Sequence, residues 1–190
     1  METDAYDAAQ SIFRGTFDLA DIVFLIILLF LLLCSALASA SEVAYFSLSP
    51  GELEKLKEKG YDKVANLHQK PNLLLSTILI TNNFVNVGIV ILSTYLVNSL
   101  FDFSGNPVLG FIIQVIGVTF IILLFGEIIP KLYANRSQVK MAIFMAGPLT
   151  FLTYLFRPLS TLLIRSTSLS ANEWPKKTAY PWISYPKPWN

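Results

Sequence analysis

The sequence predicts an all-α integral membrane protein with three membrane-spanning helices. Of its 190 residues, 54% are hydrophobic and only 14% are charged, whereas soluble domains contain about 25% charged residues. The few charges cannot cover a water-facing surface, and the apolar residues are concentrated in long uncharged tracts. About 20 apolar residues in a helix cross the ~30 Å hydrocarbon core of a bilayer. Disorder is excluded by the same composition, because disordered chains are polar and rich in charge.

The charge balance and the rare residue types exclude several functional classes. The chain has 14 Lys+Arg against 13 Asp+Glu, a formal net charge of +1, so it lacks the basic excess of a nucleic-acid-binding protein. Its one cysteine (Cys34) and one histidine (His68) exclude a disulfide framework and a Cys/His zinc site built by a single chain. Neither residue is expected to have a chemical role.

Three uncharged tracts are long enough to span a membrane. They run from Ile22 to Ser41, from Pro71 to Phe101 and from Phe103 to Gly126. A fourth tract, from Met141 to Phe156, has 16 residues, is broken by Pro148 and is closed by Pro158. We therefore expect it to lie at the interface or to re-enter rather than to span.

The basic residues predict the orientation, because cytoplasmic loops are enriched in Lys and Arg. The loop after the first tract is rich in lysine, with Lys55, Lys57, Lys59, Lys63 and Lys70. The loop at 102–107 has no basic residue, and Lys131, Arg136 and Lys140 follow the third tract. The prediction is a multi-pass protein of the plasma membrane, the inner membrane of a bacterium, with its N-terminus outside.

The chain divides into three predicted parts. Residues 1–17 form an extracytoplasmic N-terminal segment, and residues 18–165 form the transmembrane domain. Residues 166–190 form an irregular tail with four prolines and all three tryptophans, which either lies at the headgroup layer or is an unnatural end of a shortened chain. Between the first two spans, Ser49-Pro50-Gly51-Glu52 predicts a helix start with a capping box.

Polar residues inside the apolar tracts define the candidate site, since each is costly in a membrane unless it is paired. The first tract ends with Ser35, Ser39 and Glu42, which share one helical face at i, i+4 and i+7. The second contains Asn82 and Asn86, which also share a face. In each case the face presents oxygen atoms.

The third tract ends in Gly126-Glu127-Ile128-Ile129-Pro130-Lys131. Here a carboxylate lies at the edge of an apolar run, one turn before a proline that frees backbone carbonyls. Hydroxyl, amide, carboxylate and carbonyl oxygens suit a hard cation such as Mg²⁺ or Ca²⁺ and are poor ligands for zinc or copper. Among the surrounding residues, Glu42 and Lys131 are expected to support the site.

Structural explanations for the same residues stay open at this point. Serine and asparagine in membrane helices often only hydrogen-bond to a neighbouring helix, at about 0.6 kcal/mol each. An ion pair with Lys131 at i+4 would explain Glu127, and an ion pair with a loop lysine would explain Glu42. Gln114, in the middle of the third tract, is expected to bond a neighbouring helix or a second copy of the chain.

Three stretches together resemble the signatures of a known family. Ser39–Ser47 (SASEVAYFS), Thr81–Val87 (TNNFVNV) and Gly126–Lys131 (GEIIPK) are similar to the transmembrane domain of the CorC/cyclin M magnesium transporters. They occur in the family's order and at compatible spacing, and the resemblance covers roughly residues 18 to 165.

The resemblance implies a homodimer in which each subunit has three transmembrane helices and a belt-like juxtamembrane helix, here Gln138 to Ile164. It also implies export of Mg²⁺, with Na⁺ as the proposed counter-ion, through a largely dehydrated site open to the cytoplasm. The metal-binding residues would be Ser35, Ser39, Asn82, Asn86 and Glu127. Gly126 and Pro130 would correspond to an irregular turn beside the site, and membrane lipids would surround the domain.

Family members usually continue into CBS modules that bind ATP. No segment of these 190 residues resembles such a module, so no ATP site is expected in this chain. The main alternative is a membrane anchor or sensor that binds Mg²⁺ and regulates another membrane complex without transporting. A weaker alternative is an intramembrane hydrolase with Ser35 or Ser39 as nucleophile and Lys131 as base; otherwise no enzymatic activity is expected.

Overall fold

The structure is a computed structural model that describes residues 18–162. The elements in this range are helices: α1 (Leu19–Phe46), α2 (Pro50–Glu58), α3 (Asp62–His68), α4 (Pro71–Leu100), α5 (Pro107–Arg136) and α6 (Gln138–Leu155). Residues 157–162 are also helical. The predicted N-terminal segment (1–17) and the whole of the predicted tail (166–190) lie outside the described residues.

Three of these helices, α1, α4 and α5, are long and apolar enough to cross a membrane. They contain the three tracts that the sequence selects, and large apolar residues are exposed along them, including Leu29, Phe84 and Phe120. Exposed apolar side chains on a spanning helix face lipid rather than water. For residues 18–162, the prediction of an all-helical fold with three helices able to span a membrane is therefore confirmed.

A buried carboxylate ties the start of α1 to the end of α4. Asp18 and Asp21 form a capping box at the first turn of α1. Asp21 is 3% exposed, and its Oδ1 accepts a hydrogen bond of 2.7 Å from Ser99 Oγ. Local sequence does not predict this contact, because Asp21 precedes the uncharged tract and Ser99 has no periodic partner.

The short helix α2 begins as the sequence predicts. Ser49 and Glu52 form the reciprocal capping box, and Gln138 Nε2 donates to Glu52 Oε1 at 3.2 Å, which ties α2 to the start of α6. Hydrogen bonds from Ser49 to the carboxylate hold the pKa of Glu52 below its ordinary value. Gly60 follows α2 with φ = 82°, a left-handed conformation that favours glycine.

The helix α5 is irregular along its length. Two stretches, Ile112–Gly117 and Ile122–Ile128, are π-helical, and Pro130 lies in the first turn of the α-helical segment that follows. Each π-helical turn widens the helix and displaces the following side chains, and such turns are frequent at functional sites. The second stretch contains both Gly126 and Glu127.

The fourth apolar tract forms one helix, α6, and Pro148 lies inside it. The prediction that Pro148 breaks this helix is wrong. A proline removes one backbone hydrogen bond and bends a helix, but Met145 and Leu149 on either side are buried and hold the helix in place. The helix ends at Leu155, before Pro158. Its placement as a juxtamembrane belt stays a prediction.

The largest buried cluster lies where α6 packs against the end of α1 and the two short helices. Tyr45 is fully buried and its hydroxyl donates to the carbonyl of Ala142 at 3.0 Å. Around it pack apolar side chains from five helices and from the end of α5, among them Ala44, Leu56, Val64, Leu74, Ala134 and Leu149. This cluster fixes the ends of α1 and α5, which carry the polar residues of the candidate site.

Candidate functional site

Four of the predicted site residues meet where α1, α4 and α5 pack together. Ser35 Oγ on α1 lies 2.9 Å from Asn82 Oδ1 and 2.7 Å from Asn86 Oδ1 on α4. Asn86 Nδ2 in turn lies 3.4 Å from Glu127 Oε1 on α5. Residues far apart in sequence therefore form one continuous polar cluster, which we call the oxygen cluster.

The oxygen cluster has more acceptors than protons at its centre. Ser35 has one hydroxyl hydrogen, so it donates to one of the two amide oxygens at a time. The Asn86 amide donates to the Glu127 carboxylate, which turns its oxygen towards Ser35. Two amide oxygens thus lie within 3 Å of a hydroxyl oxygen that has only one hydrogen to donate, an arrangement that favours a cation.

A glycine allows α1 and α5 to approach at this point. A Cβ atom on Gly126 would lie 3.0 Å from Ser35 Oγ and 3.5 Å from Ser35 Cβ. Ser35 is fully buried, and Gly126 is buried beside it. Pro130 has no N–H and so cannot donate to the carbonyl of Gly126, four residues earlier. The close approach therefore places α5 directly beside Ser35, one residue before Glu127.

Ser39 is not joined to the oxygen cluster by a hydrogen bond. It is 1% exposed, and its Oγ has no hydrogen-bond partner among the described residues. Ser39 lies one turn from Ser35 towards Glu42 on the same face of α1. Sequence periodicity places both serines on one face, but only Ser35 reaches the two asparagines.

Glu42 and Lys131 form an ion pair, with 3.1 Å between Glu42 Oε2 and Lys131 Nζ. Their side chains are 41% and 38% exposed, so the pair lies at an accessible edge of the α1–α5 contact. The alternative pairing of Lys131 with Glu127 is wrong, because Lys131 bonds Glu42. The hydrolase alternative loses its base for the same reason, since Lys131 is paired and Ser35 donates to asparagine.

The side chains that ligate transition metals do not cluster in the part of the chain that the structure describes. No group of three or more His, Cys, Asp or Glu residues is close enough there to hold a metal ion. A cation held by residues 18–162 must therefore depend on neutral oxygens with at most two carboxylates. The oxygen cluster has one carboxylate, Glu127, and hard cations accept such a ligand set.

Other polar groups inside the helices have structural partners. Gln114 Nε2 donates to Asn98 Oδ1 at 2.7 Å, which confirms that Gln114 bonds a neighbouring helix. Asn83 is exposed and its amide donates to the carbonyl of Leu79 on its own helix. Neither group lies in the oxygen cluster, although Asn83 is next to Asn82 in sequence.

Three helices able to span a membrane, around a partly buried cluster of amide, hydroxyl and carboxylate groups, define a multi-pass membrane protein with a polar site between its helices. The chain belongs to the family of the cyclin M transmembrane N-terminal domain, whose sequence model matches residues 26–175. This match confirms the resemblance seen in the three sequence stretches.

Several relatives have names that indicate transport. The chain is 36% identical over 141 residues to a UPF0053 protein of Haemophilus influenzae, an alignment that covers 73% of this chain and 32% of the relative. It is 31% identical over 123 residues to the metal transporter cnnm-4 of Caenorhabditis elegans (59% and 25% covered). It is 29% identical over 140 residues to the polyamine export protein of Haemophilus influenzae (68% and 32% covered). The chain thus spans a third or less of the length of these relatives.

Proposed function

We propose that this chain transports Mg²⁺ out of the cell across the plasma membrane. The oxygen cluster would be the transport site, with Glu127, Asn82, Asn86 and Ser35 as ligands. The observation that carries the proposal is the convergence of hydroxyl and amide oxygens from α1 and α4 beside a carboxylate from α5. The name of the metal transporter cnnm-4 supports a metal as the cargo.

The spacing of the oxygens fits a small octahedral ion. Neighbouring ligands of an octahedral Mg²⁺ at about 2.1 Å lie roughly 3.0 Å apart. The Ser35 oxygen lies 2.9 Å and 2.7 Å from the two asparagine oxygens. These three atoms could therefore replace neighbouring water oxygens of one Mg²⁺ with little movement once the Ser35 hydrogen turns away.

The charge of the site favours release as well as binding. With one carboxylate and neutral oxygens, the site with bound Mg²⁺ has a net positive charge, so the ion can dissociate. Any monovalent cation would neutralise Glu127, and we propose Na⁺ in this role because the resemblance to the CorC/cyclin M family implies it as the counter-ion. Because Mg²⁺ gives up water reluctantly, we expect slow exchange rather than channel-like flow.

The surroundings of the oxygen cluster suggest a path to it. Ser39 and then Glu42 follow Ser35 along one face of α1, and Glu42 with Lys131 is at an accessible edge. With the N-terminus outside, this edge faces the cytoplasm. We propose that ions enter here, with Ser39 as a transient ligand, and that the working unit is a homodimer.

Two other functions are favoured by particular observations. The relative named as a polyamine export protein makes an organic cation a second candidate cargo, because ammonium groups also bind carboxylate and amide oxygens. A Mg²⁺-binding anchor or sensor is the third candidate, because the oxygen cluster could hold an ion without passing it across the membrane.

The test is Mg²⁺ flux into proteoliposomes that contain only the purified chain, with a Na⁺ gradient imposed and then removed. Asn82→Ala removes a ligand of the oxygen cluster. Asn83→Ala is the matched control, since the neighbouring Asn83 is exposed and bonds its own helix. We expect flux for the wild type and for Asn83→Ala, and loss of flux for Asn82→Ala.

Other outcomes separate the three functions. Spermidine flux without Mg²⁺ flux would overturn the choice of cargo and leave the site in place. Mg²⁺ binding without flux, lost in Asn82→Ala, would assign the chain to the anchor or sensor. Equal flux in Asn82→Ala and Asn83→Ala would remove the oxygen cluster from transport altogether.

A further inference from the structure

Apolar side chains follow the oxygen cluster on all three spanning helices, in the direction of the N-terminal end of α1. Leu31 on α1, Ile89 on α4 and Ile122 on α5 each lie about one turn from the site residues of their own helix. Ile89 is 2% exposed and Ile122 is 7% exposed. The polar site is therefore bounded by apolar packing on this side.

These three side chains belong to one cluster, which we call the apolar plug. Its other members are Leu28, Leu32, Cys34, Val85 and Val118. A Cβ atom on Gly88 would lie 3.2 Å from Leu31 Cδ1, so α1 and α4 are in close contact here. A cation would find no oxygen ligands in such a layer to replace its water. The apolar plug is therefore a barrier to an ion that is bound at the oxygen cluster.

A polar contact joins α1 to α4 beyond the apolar plug. Ser99 Oγ on α4 donates to Asp21 Oδ1 on α1 at 2.7 Å, and Asp21 is 3% exposed. Between this hydrogen bond and the plug, the rings of Phe24 and Tyr95 are in edge-to-face contact, with 4.6 Å between their centroids. The ends of the two helices are therefore held together by one aromatic pair and one buried hydrogen bond.

Both helices place this hydrogen bond at the same distance from the oxygen cluster. With a rise of about 1.5 Å per residue, Asp21 lies roughly 21 Å from Ser35 along α1, and Ser99 lies roughly 20 Å from Asn86 along α4. The side chains between Asp21 and Ser35 on the same face of α1 are Phe24, Leu28 and Leu31. The hydrogen bond, the apolar plug and the oxygen cluster thus follow one another along a single α1–α4 interface.

The two ends of α1 differ in exposure. The Glu42 side chain near the C-terminal end is 41% exposed, whereas Asp21 near the N-terminal end is 3% exposed. A transporter that works by alternating access keeps its site closed on one side while the other side is reachable, and then reverses the two. The structure is closed on the Asp21 side, which faces outwards if the N-terminus is outside as the basic residues predict.

We propose that the apolar plug and the Asp21–Ser99 hydrogen bond form the outer gate of the transport path. The inference rests on the proposed function for the ion that passes. The gate opens when α1 and α4 separate at this end, which breaks the hydrogen bond and parts Leu31 from Ile89. Because its acceptor is a carboxylate, this hydrogen bond is stronger than one between neutral groups and favours the closed gate.

The first test measures access to the path from outside. Cys34→Ala removes the native thiol, and Ser93→Cys then places a thiol at a buried position of α4 between the plug and the hydrogen bond. A membrane-impermeant methanethiosulfonate is added to spheroplasts. We expect modification to be about tenfold or more faster when Ser99→Ala removes the hydrogen bond. Thr94→Val is the control, because the Thr94 hydroxyl donates to its own helix.

Equal modification rates in Ser99→Ala and Thr94→Val would overturn the role of the hydrogen bond, and a rise seen only in inside-out vesicles would overturn its assignment to the outer side. The apolar plug is tested with a thiol at the oxygen cluster, Asn82→Cys, in the Cys34→Ala and Ser99→Ala background. We expect external reagent to reach this thiol in Ile89→Ala but not in Ile91→Ala, since Ile91 is 65% exposed on the same helix. Equal modification in the two variants would overturn the plug.

A second test locks the gate. Asp21→Cys with Ser99→Cys, in the Cys34→Ala background, is bridged by a short, reducible bifunctional thiol reagent. We expect the bridge to abolish Mg²⁺ flux in proteoliposomes and reduction to restore it, whereas a bridge between Glu52→Cys and Gln138→Cys, which joins α2 to α6, should leave the flux intact. Full flux with the first bridge in place would overturn the gate. If the wild type carries no Mg²⁺, the proposed function fails, while the thiol modification rates still decide the gate.

Discussion

Glu127 and Glu42 are both close to the contact between α1 and α5, yet their surroundings differ in one respect. Glu42 has a lysine partner, Lys131, at 3.1 Å. Glu127 instead lies beside the amide of Asn86, whose oxygen meets Ser35. The first carboxylate has its counter-charge built into the chain, whereas the second forms no ion pair among residues 18–162 and accepts from a neutral amide.

These surroundings explain why the two carboxylates are assigned different roles. An exposed ion pair contributes about 0–1 kcal/mol, so Glu42 can be explained as a structural group at the edge of the domain. A carboxylate at membrane depth without a cation is costly, and its cost is offset when a mobile cation binds. The proposed function assigns that cation to the oxygen cluster.

Glu127→Gln should have the largest effect, because it removes the one charge of the oxygen cluster and keeps its shape. We expect Mg²⁺ flux in proteoliposomes to fall by about 100-fold or more, since loss of one partner from a buried charge pair costs about 3–5 kcal/mol. The elution volume on size exclusion should stay that of the wild type. Wild-type flux in this variant would exclude Glu127 from the site.

Gly126→Ala should have the next largest effect. The added Cβ would lie 3.0 Å from Ser35 Oγ, so the Ser35 hydroxyl or the α1–α5 contact must give by a few tenths of an ångström, and overpacking of this kind costs about 1–3 kcal/mol. We expect about tenfold or more weaker Mg²⁺ binding, measured by isothermal titration calorimetry. Gly147→Ala is the control, because nothing lies within 4 Å of a Cβ there; equal behaviour of both variants would contradict the prediction.

Ser35→Ala should weaken Mg²⁺ binding by about tenfold, because one neutral ligand is lost and the Asn82 and Asn86 oxygens lose their donor. The matched control is Ser41→Ala on the same helix, since Ser41 is also buried but donates to the carbonyl of Leu37. The measurement is the Mg²⁺ dependence of the Tm. A larger loss in Ser41→Ala would point to general destabilisation of α1.

Glu42→Gln should have the smallest effect. The side chains of Glu42 and Lys131 are each more than a third exposed. Loss of their ion pair should therefore leave the Tm close to that of the wild type and change the Mg²⁺ affinity by less than about fivefold. Flux measured at low and at high ionic strength is the sharper readout, because salt screens an exposed charge. A loss of flux as large as that of Glu127→Gln would erase the distinction between the two carboxylates.

Much of the fold follows from local sequence features. The uncharged tracts specify α1, α4 and α5, since length and apolar composition alone decide whether a helix can span a bilayer. The Ser49–Glu52 capping box forms as predicted because its partners are only three residues apart. Within single helices, periodicity also places Ser35 on the face of Ser39 and Asn82 on the face of Asn86.

Pro148 and Asp21 are two residues whose structure could not be predicted from local sequence preferences. A proline breaks an isolated helix, but α6 continues through Pro148 because buried neighbours hold both halves. Asp21 is buried because Ser99, far away in sequence, supplies a hydroxyl. In both cases a residue's neighbours in space override its preference in sequence.

The sequence alone determined the class of protein, its three spanning helices and the set of oxygen-bearing side chains from which a site could be built. Only the tertiary structure decided that Ser35, rather than Ser39, meets Asn82 and Asn86, and that Lys131 pairs with Glu42 rather than with Glu127. The physical reason is that helical periodicity fixes the face on which a side chain lies. The partner across that face is decided by the axial offset and rotation between neighbouring helices. These depend on how all the helices pack together.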